Sequence, residues 1–370
     1  MPAAEVARYH QCRQRGITTV RFSVGHAAWC DAVVAPGSTF DWSTLDRLGC
    51  LYELAVFGPL PGLLDYLATR RLIRNVRWHQ HGASCLDASA LALSTLNVDV
   101  PEGGLQLKLG VLPCLALLDC HSGGVVEIDH PDRGRGLRLE HLSTRRTPLP
   151  PAIETLPQLT ELSSSHLSHA DGRALASYPH LRSLQLLGDR MTLAHPSELA
   201  TLTELERFEL RECYAFDATE LPELTSLPRL QWAEFFGLRQ VAAGSIKKRW
   251  MKLPHLAVRG VKGDAWLASN ADNPFNHWID HHEPRVALAA CAAYRKSLAT
   301  LRKLHDGQGE RIGEEVVRFT TVFNRMPGDP TLDTLDTEAI WDGLVRLLVA
   351  ANLEVEPEAL QRWFDQAREF

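Results

Sequence analysis

The chain has 370 residues, 45% of them hydrophobic and 23% charged, with a formal net charge of −6. That length can bury a large core and the composition is ordinary for a folded protein, so a disordered or fibrous chain is excluded and two structural units are expected. Residues 1–270 hold 28 Lys and Arg against 28 Asp and Glu, and residues 271–370 hold 11 against 17, so neither part has the basic excess of a nucleic-acid binder.

The opening stretch MPAAEVARYHQCRQRG is amphipathic, mixed in charge and without the apolar core of a signal peptide. It reads as a helix over 1–16 that caps the open end of the downstream fold. No run of about 18 apolar residues occurs, so no membrane span is expected. Eight cysteines are scattered with no CxxC pair, which fits a reducing cytoplasm.

From Leu156 to Val261 one phrase is written five times: LPQLTEL, YPHLRSLQL, LTELERFEL, LPRLQWAEF and LPHLAVRGV. The matching leucines Leu159, Leu181, Leu205, Leu230 and Leu256 are 22, 24, 25 and 26 residues apart. Upstream, the same apolar spacing recurs as Ile17-Val20-Phe22, Leu51-Leu54-Val56, Ile73-Val76-Trp78, Leu93-Leu96-Val98 and Leu115-Leu118-Cys120, then blurs around Leu137, Leu139 and Leu142. The gap from Ile17 to Leu51 holds an insertion or a further, unreadable repeat. A fixed period of this length marks a solenoid, expected over 17–265. Each copy places apolar side chains inward from one short strand, successive strands pair in parallel, and the rest of the repeat returns on the outer side. Gly62–Arg71, Ser84–Ser94, Asp171–Ser177 and His195–Leu202 read as helical returns. Pro113, Pro157, Pro179, Pro228 and Pro254 end the returns before the strands begin.

These residues resemble the leucine-rich repeat family, of bacterial type, over about two thirds of the chain. The resemblance implies an α/β solenoid: an arc with parallel inner strands whose concave face binds another protein. The family places Asn or Cys about three residues after the last strand leucine. Cys213 fits that place, whereas Asp189, Leu238, Leu167 and Gly123 do not, so the arc is expected to be irregular.

The periodicity stops after Val261. Residues 266–283, rich in turn formers and aromatics, read as a junction packed over the last repeat. A small all-α domain comes next over 284–370, with helices expected at Pro284–His305, Glu310–Asn324, Asp336–Ala351 and Pro357–Phe370, Asp336 serving as an N-cap. It resembles helical tails that lie after leucine-rich repeats in some bacterial proteins.

The candidate partner-binding residues are Arg182, Gln185, Arg207, Glu209, Trp232 and Glu234, outward positions between the strand leucines. Arg and aromatic anchors among carboxylates suit a protein partner. A solvated sheet face is the plainer reading of the same residues. His277 and His281 have the i, i+4 spacing of a metal pair, but Pro284 comes soon after and no HExxH is present. His79 and His81 alternate on one strand. Neither pair is expected to hold metal. Bacterial leucine-rich repeat proteins with helical C-terminal domains include ubiquitin ligases, whose reactive Cys has an Asp two residues later. Here Cys291 has Ala293 in that place, and it reads as a buried small hydrophobe. Lys247, Lys248 and Arg249 read as a solvated or intramolecular basic run. Asp329, Asp333 and Asp336 lack the spacing of an EF-hand. No phosphate loop or dinucleotide fingerprint occurs, so no cofactor is expected. The sequence therefore points to a non-enzymatic protein-binding scaffold, in one specific form an immunity or antitoxin-type inhibitor. The alternative is a bacterial effector with ubiquitin-ligase-like activity.

Overall fold

The computed structural model describes residues 19–20, 32–34, 40–47, 51–79, 81–120, 125–143, 145–280, 282–324, 326, 332 and 334–369. The expected capping helix over 1–16 lies outside these residues, as do Gly123, His281, Asp329 and Asp333. The chain divides into two units, Met1–Arg259 and Gly260–Phe370.

The first unit begins with strands β1 (Thr19–Val20), β2 (Ala32–Val34) and β3 (Glu53–Phe57), then helix α1 (Leu63–Thr69). A run of strands comes next: β4 (Asn75–His79), β5 (Cys85–Ala88), β6 (Thr95–Asp99), β7 (Leu105–Leu109), β8 (Cys114–Leu118), β9 (Val126–Asp129), β10 (Arg138–Leu142), β11 (Thr147–Pro148) and β12 (Glu161–Asp171). Helix α2 (Gly172–Leu175), β13 (Ser183–Ala194), β14 (Arg207–Ala215), β15 (Trp232–Phe236), α3 (Gln240–Arg249) and β16 (His255–Arg259) complete it. Among the described residues thirteen strands make one sheet in the order β1-β2-β3-β4-β6-β8-β10-β12-β13-β14-β15-β16, with β11 beside β12. The short β1–β2 pair is antiparallel, and from β2 to β16 each strand runs parallel to the next. With the helices of the second unit, this gives an α/β chain built on a large parallel sheet.

Because side chains alternate along a strand, in-register pairing stacks like positions into rows. One inward row runs Leu54, Val76, Leu96, Leu115, Leu139, Leu162, Leu184, Phe208 and Ala233, and every member is buried. A row just before the strands, Leu51, Ile73, Leu93, Leu112, Leu159, Leu181, Leu205, Leu230 and Leu253, is buried as well. Each such Leu or Ile contributes on the order of 1.5–3 kcal/mol by leaving water.

The register corrects three sequence alignments. Leu115 pairs with Leu96 and Leu139, so the inward set of that repeat is Leu112, Leu115 and Leu117, and Leu118 faces outward. Leu142 pairs with Leu118 and also faces outward, leaving His141 in the core. Leu256 pairs with Ala233, so Leu253 rather than Leu256 is the counterpart of Leu230.

Returns of two kinds meet in this unit. The helix expected over Ser84–Ser94 is instead β5 and a turn, because Leu86 and Ala88 alternate with the exposed Cys85 and Asp87. This strand joins β7 and β9 in a second, three-stranded parallel sheet that lays Leu86, Leu107 and Ile128 onto the core. Beyond β9 the returns are α2, the 3-10 turns Pro196–Thr201, Ala218–Glu220 and Leu224–Ser226, and α3. The strands β12 and β13 run 11 and 12 residues, well past the expected short strands, and register shifts occur in their pairing. His166 and Arg190, both at φ 54°, take left-handed backbone within them. At the far end Phe208, Phe235 and Trp250 pack edge to face, with Phe235 and Trp250 centroids 5.4 Å apart. The Trp250 indole donates to the Pro222 carbonyl at 3.0 Å.

The second unit holds α4 (Asp264–Asn270), the 3-10 turn Asn276–Asp280, α5 (Pro284–Leu301), α6 (Gly309–Asn324), α7 (Thr334–Ala351) and α8 (Pro357–Ala367). Residues expected as a junction are thus part of this unit: Phe275 and Trp278 lie in its core with Phe319 and Phe323. They are there because Gly343 removes the side chain that would otherwise block Phe275; a Cβ at that position would stand 2.6 Å from the ring. Asp336 sits inside the first turn of α7 rather than at its cap, and its carboxylate meets His282 Nε2 at 2.9 Å. Among the described residues no helix is long and apolar enough to cross a membrane.

Phe208→Ala removes one ring of the Phe208–Phe235–Trp250 cluster. It is expected to cost about 3–5 kcal/mol in chemical denaturation, whereas exposed Val241→Ala on α3 is expected to cost under about 0.5 kcal/mol.

Candidate functional site: the exposed face of the main sheet

From β10 to β16 two outward rows of the main sheet are mainly polar. Register places Arg138, Glu161, Ser183, Arg207, Trp232 and His255 in one row. Glu140, Ser163, Gln185, Glu209, Glu234 and Ala257 make the next. Five of the six residues picked from sequence therefore fall on one face, across β13, β14 and β15.

Their environments differ. Arg207 is exposed and its guanidinium lies over the Trp232 ring, 5.0 Å from the centroid. A cation held against an indole face is worth about 0.5–1 kcal/mol where water reaches it. The stack also presents a flat, half-buried aromatic beside a charge. Glu209, expected outward and exposed, is buried, its side chain only 9% accessible. Arg211 covers it: the Arg211 Nε donates to Glu209 Oε1, Arg211 Nη2 approaches Glu234 Oε1 at 3.9 Å, and its guanidinium lies 5.7 Å from the Phe236 ring. Gln185 stands beside Glu209 in the row, half-buried.

Arg182 departs from this pattern. It precedes β13, and its Nε points to Glu204 Oε2 at 3.8 Å, which Arg229 Nη1 approaches at 3.5 Å, while His180 Nδ1 meets Glu204 Oε1 at 2.9 Å. The His180 hydrogen bond, with the Arg229 and Arg182 charges behind it, holds the Glu204 carboxyl below the usual range. This basic cluster borders the start of the strands.

Arg211 and Phe236 do not emerge from the repeat pattern. The motif ends at the last inward leucine, so positions beyond Leu210 and Phe235 carry no periodic mark. Period-2 alternation extended two residues further would find both.

The other candidates separate cleanly. His79 stacks on Phe57, with centroids 4.9 Å apart, and meets Asp99 Oδ1 at 3.2 Å, while His81 Nε2 meets the Asp99 carbonyl at 2.8 Å. His277 lies in the turn Asn276–Asp280. Among the described residues no group of three or more metal-ligating side chains comes together. Lys247 and Lys248 are exposed in the last turn of α3, and Arg249 pairs with Glu223 at 3.0 Å. Cys291 is fully buried, and burial pushes its thiol up to about 12. Cys213 is buried too; its sulfur is hydrogen-bonded by backbone at Ala215 and Leu193, and burial pushes the thiol up.

Behind the face, the second inward row breaks its own rule. It runs Val56, Trp78, Val98, Leu117, His141, Ser164, Leu186, Leu210 and Phe235. His141 Nδ1 and Ser164 Oγ lie 3.0 Å apart, and among the described residues His141 Nε2 has no hydrogen-bond partner. Burial lowers the His141 pKa to about 4, so the ring is neutral at pH 7. The ring borders a cavity of about 400 Å³, whose walls include Cys120, Val126, Pro150, Ala152 and Ile153.

Comparison of the sequence with protein-family models and with curated proteins finds no match.

Arg211→Ala strips the cover from buried Glu209 and is expected to destabilise the unit by about 1–3 kcal/mol in denaturant titration; Glu209→Leu on that background is expected to recover most of the loss. A second measurement concerns His141, which stays neutral in the folded chain down to about pH 4 but takes up a proton near 6.5 when unfolded. Between those values the unfolded chain binds more protons, so stability rises with pH across the window and is lost as pH falls through it. His141→Leu is expected to flatten that slope by about 3 kcal/mol between pH 7 and pH 4, read as the difference between the two denaturation profiles.

Proposed function

We propose that the first unit is an irregular leucine-rich repeat solenoid and that the chain acts without catalysis, binding another protein on the exposed face of the main sheet. The face is the one that such an arc turns inward. The observation that carries the reading is the Arg207–Trp232 stack on β14 and β15, flanked by Glu234, Arg211 and Phe236. Aromatic and Arg side chains are the residues that most often dominate protein interfaces. Here they are already held in place by in-register strands, so little side-chain freedom is lost on binding. Buried Glu209 fixes the Arg211 guanidinium, which keeps the neighbouring charge pattern rigid.

An immunity or antitoxin-type role is the specific form we favour, because a rigid patterned surface suits the sequestering of one protein. The ligase alternative needs a thiol that ionises readily and is accessible. Burial of Cys291 works against both.

The test uses the full chain as bait for the product of the adjacent gene. Arg207→Ala and Trp232→Ala are each expected to weaken retention by about 2 kcal/mol, roughly thirtyfold, with the fold intact by circular dichroism. Retention unchanged in both variants would remove the binding site from this face. Ubiquitin transfer that disappears in Cys291→Ala would overturn the non-enzymatic reading.

A further inference from the structure

On β14, β15 and β16 the outward positions form three short rows in register. Arg207, Trp232 and His255 make the first, Glu209, Glu234 and Ala257 the second, and Arg211, Phe236 and Arg259 the third. The first and third rows each set an aromatic ring on β15 beside a guanidinium on β14. Arg207 lies 5.0 Å from the Trp232 centroid, and Arg211 lies 5.7 Å from that of Phe236. Four residues separate the two rings along β15, about 13 Å of strand.

The accessible charge of this strip is positive. Its two carboxylates are recessed under one cation: side-chain accessibility is 9% at Glu209 and 17% at Glu234, and Arg211 reaches toward both. Glu206 before β14 and Glu212 within it are half-buried, and Glu212 accepts from the Tyr214 hydroxyl. Arg207 and Arg259 are exposed, and among the described residues neither is in an ion pair. A guanidinium lying flat over a ring keeps its in-plane N–H donors free, and those donors match a planar carboxylate in bidentate fashion.

A carboxylate on a protein fits this strip better than the phosphates of a nucleic acid. The first row continues to exposed Glu161 on β12, and the second to Glu140 on β10. A phosphate backbone running on across the sheet would therefore meet negative charge, whereas a protein segment can confine its acids to β14–β16. Arg207 and Arg259 stand diagonally across β15, their Cα atoms roughly 16 Å apart for strands about 4.8 Å from one another. An extended segment covers that distance in about five residues.

We propose that the partner of this face is a protein that lays a carboxylate-rich segment across β14, β15 and β16. Its acidic side chains pair with Arg207 and Arg259, and its apolar side chains lie on Trp232 and Phe236. The inference rests on the protein-binding reading of the same face and adds the chemistry of the partner.

The experiment follows fluorescently labelled short poly-L-glutamate on the full chain by anisotropy, with poly-L-lysine and oligothymidylate as comparison probes. Saturable binding of poly-L-glutamate is expected, weakening as salt is raised. Poly-L-lysine is expected not to bind, and oligothymidylate to bind more weakly. Arg207→Glu and Arg259→Glu are each expected to weaken poly-L-glutamate roughly tenfold or more, and Arg259→Lys to lose less. Reversing the basic run on α3 with Lys247→Glu and Lys248→Glu is expected to change nothing. Poly-L-glutamate binding that survives both arginine reversals would overturn the proposal, as would oligothymidylate bound equally tightly through the same arginines. So would the absence of saturable poly-L-glutamate binding to the unsubstituted chain, a readout that needs no variant to fold. Retention of the adjacent gene product then decides the broader reading by itself. Its loss in Trp232→Ala keeps a protein site on this face for a partner that is not acidic, and its persistence removes the site from the face.

Discussion

In-register parallel pairing of the main sheet is the constraint on which the first unit depends. Side chains alternate with a period of two, so fixing one pair of partners fixes which face every residue of both strands occupies. Leu184 opposite Phe208, and Phe208 opposite Ala233, commit these strands to one inward row. The same pairing places Arg207 beside Trp232 and Glu209 beside Glu234 on the opposite face. Core and candidate surface are therefore two readings of one register. A slip of one residue would bury Arg207 and expose Phe208, at a cost that the inward rows do not allow.

That dependence explains how much was legible in the sequence. Where leucine recurs cleanly, from Leu159 to Leu230, the alternation can be counted outward, and Gln185, Arg207, Trp232 and Glu234 are found on the face. Arg182 is exposed as well, but it precedes the first paired residue of β13, where strand alternation does not apply, and its Nε lies toward the Glu204 carboxylate. Burial of Glu209 was hidden for another reason. Its partner Arg211 lies beyond the leucine motif, so nothing in the repeat signals that the carboxylate is covered. The second sheet was hidden because Leu86 and Ala88 in β5 precede Leu91 and Leu93, and a short apolar run satisfies helix and strand periods alike.

The helical unit shows the converse. Its helices were legible from their apolar spacing, since packing acts within each helix on residues three and four apart. The partners that join segments were not. Phe275 and Trp278 precede the periodic region, yet the bundle closes around them, and Gly343 supplies the space. The His282–Asp336 contact links residues far apart in sequence, and no local pattern announces it. A residue read as a helix cap thus holds a contact with an imidazole instead.

His141 brings the two kinds of legibility together. The motif around Leu137, Leu139 and Leu142 offers two registers, and taking Leu142 as inward turns His141 out to solvent, where a histidine needs no account. Pairing with Leu117 and Ser164 reverses that assignment. It sends Leu142 outward and a polar ring into a row otherwise filled by Val, Trp, Leu and Phe, with Ser164 the sole other polar member among β3 to β15. The neighbouring strands hold the register on both sides, so the ring cannot escape by local slippage. Local chemistry and global packing disagree at this point, where a neutral imidazole sits in a row that is otherwise apolar but for Ser164. The second sheet ends at β9, and a cavity partly lined by His141 lies beside that end.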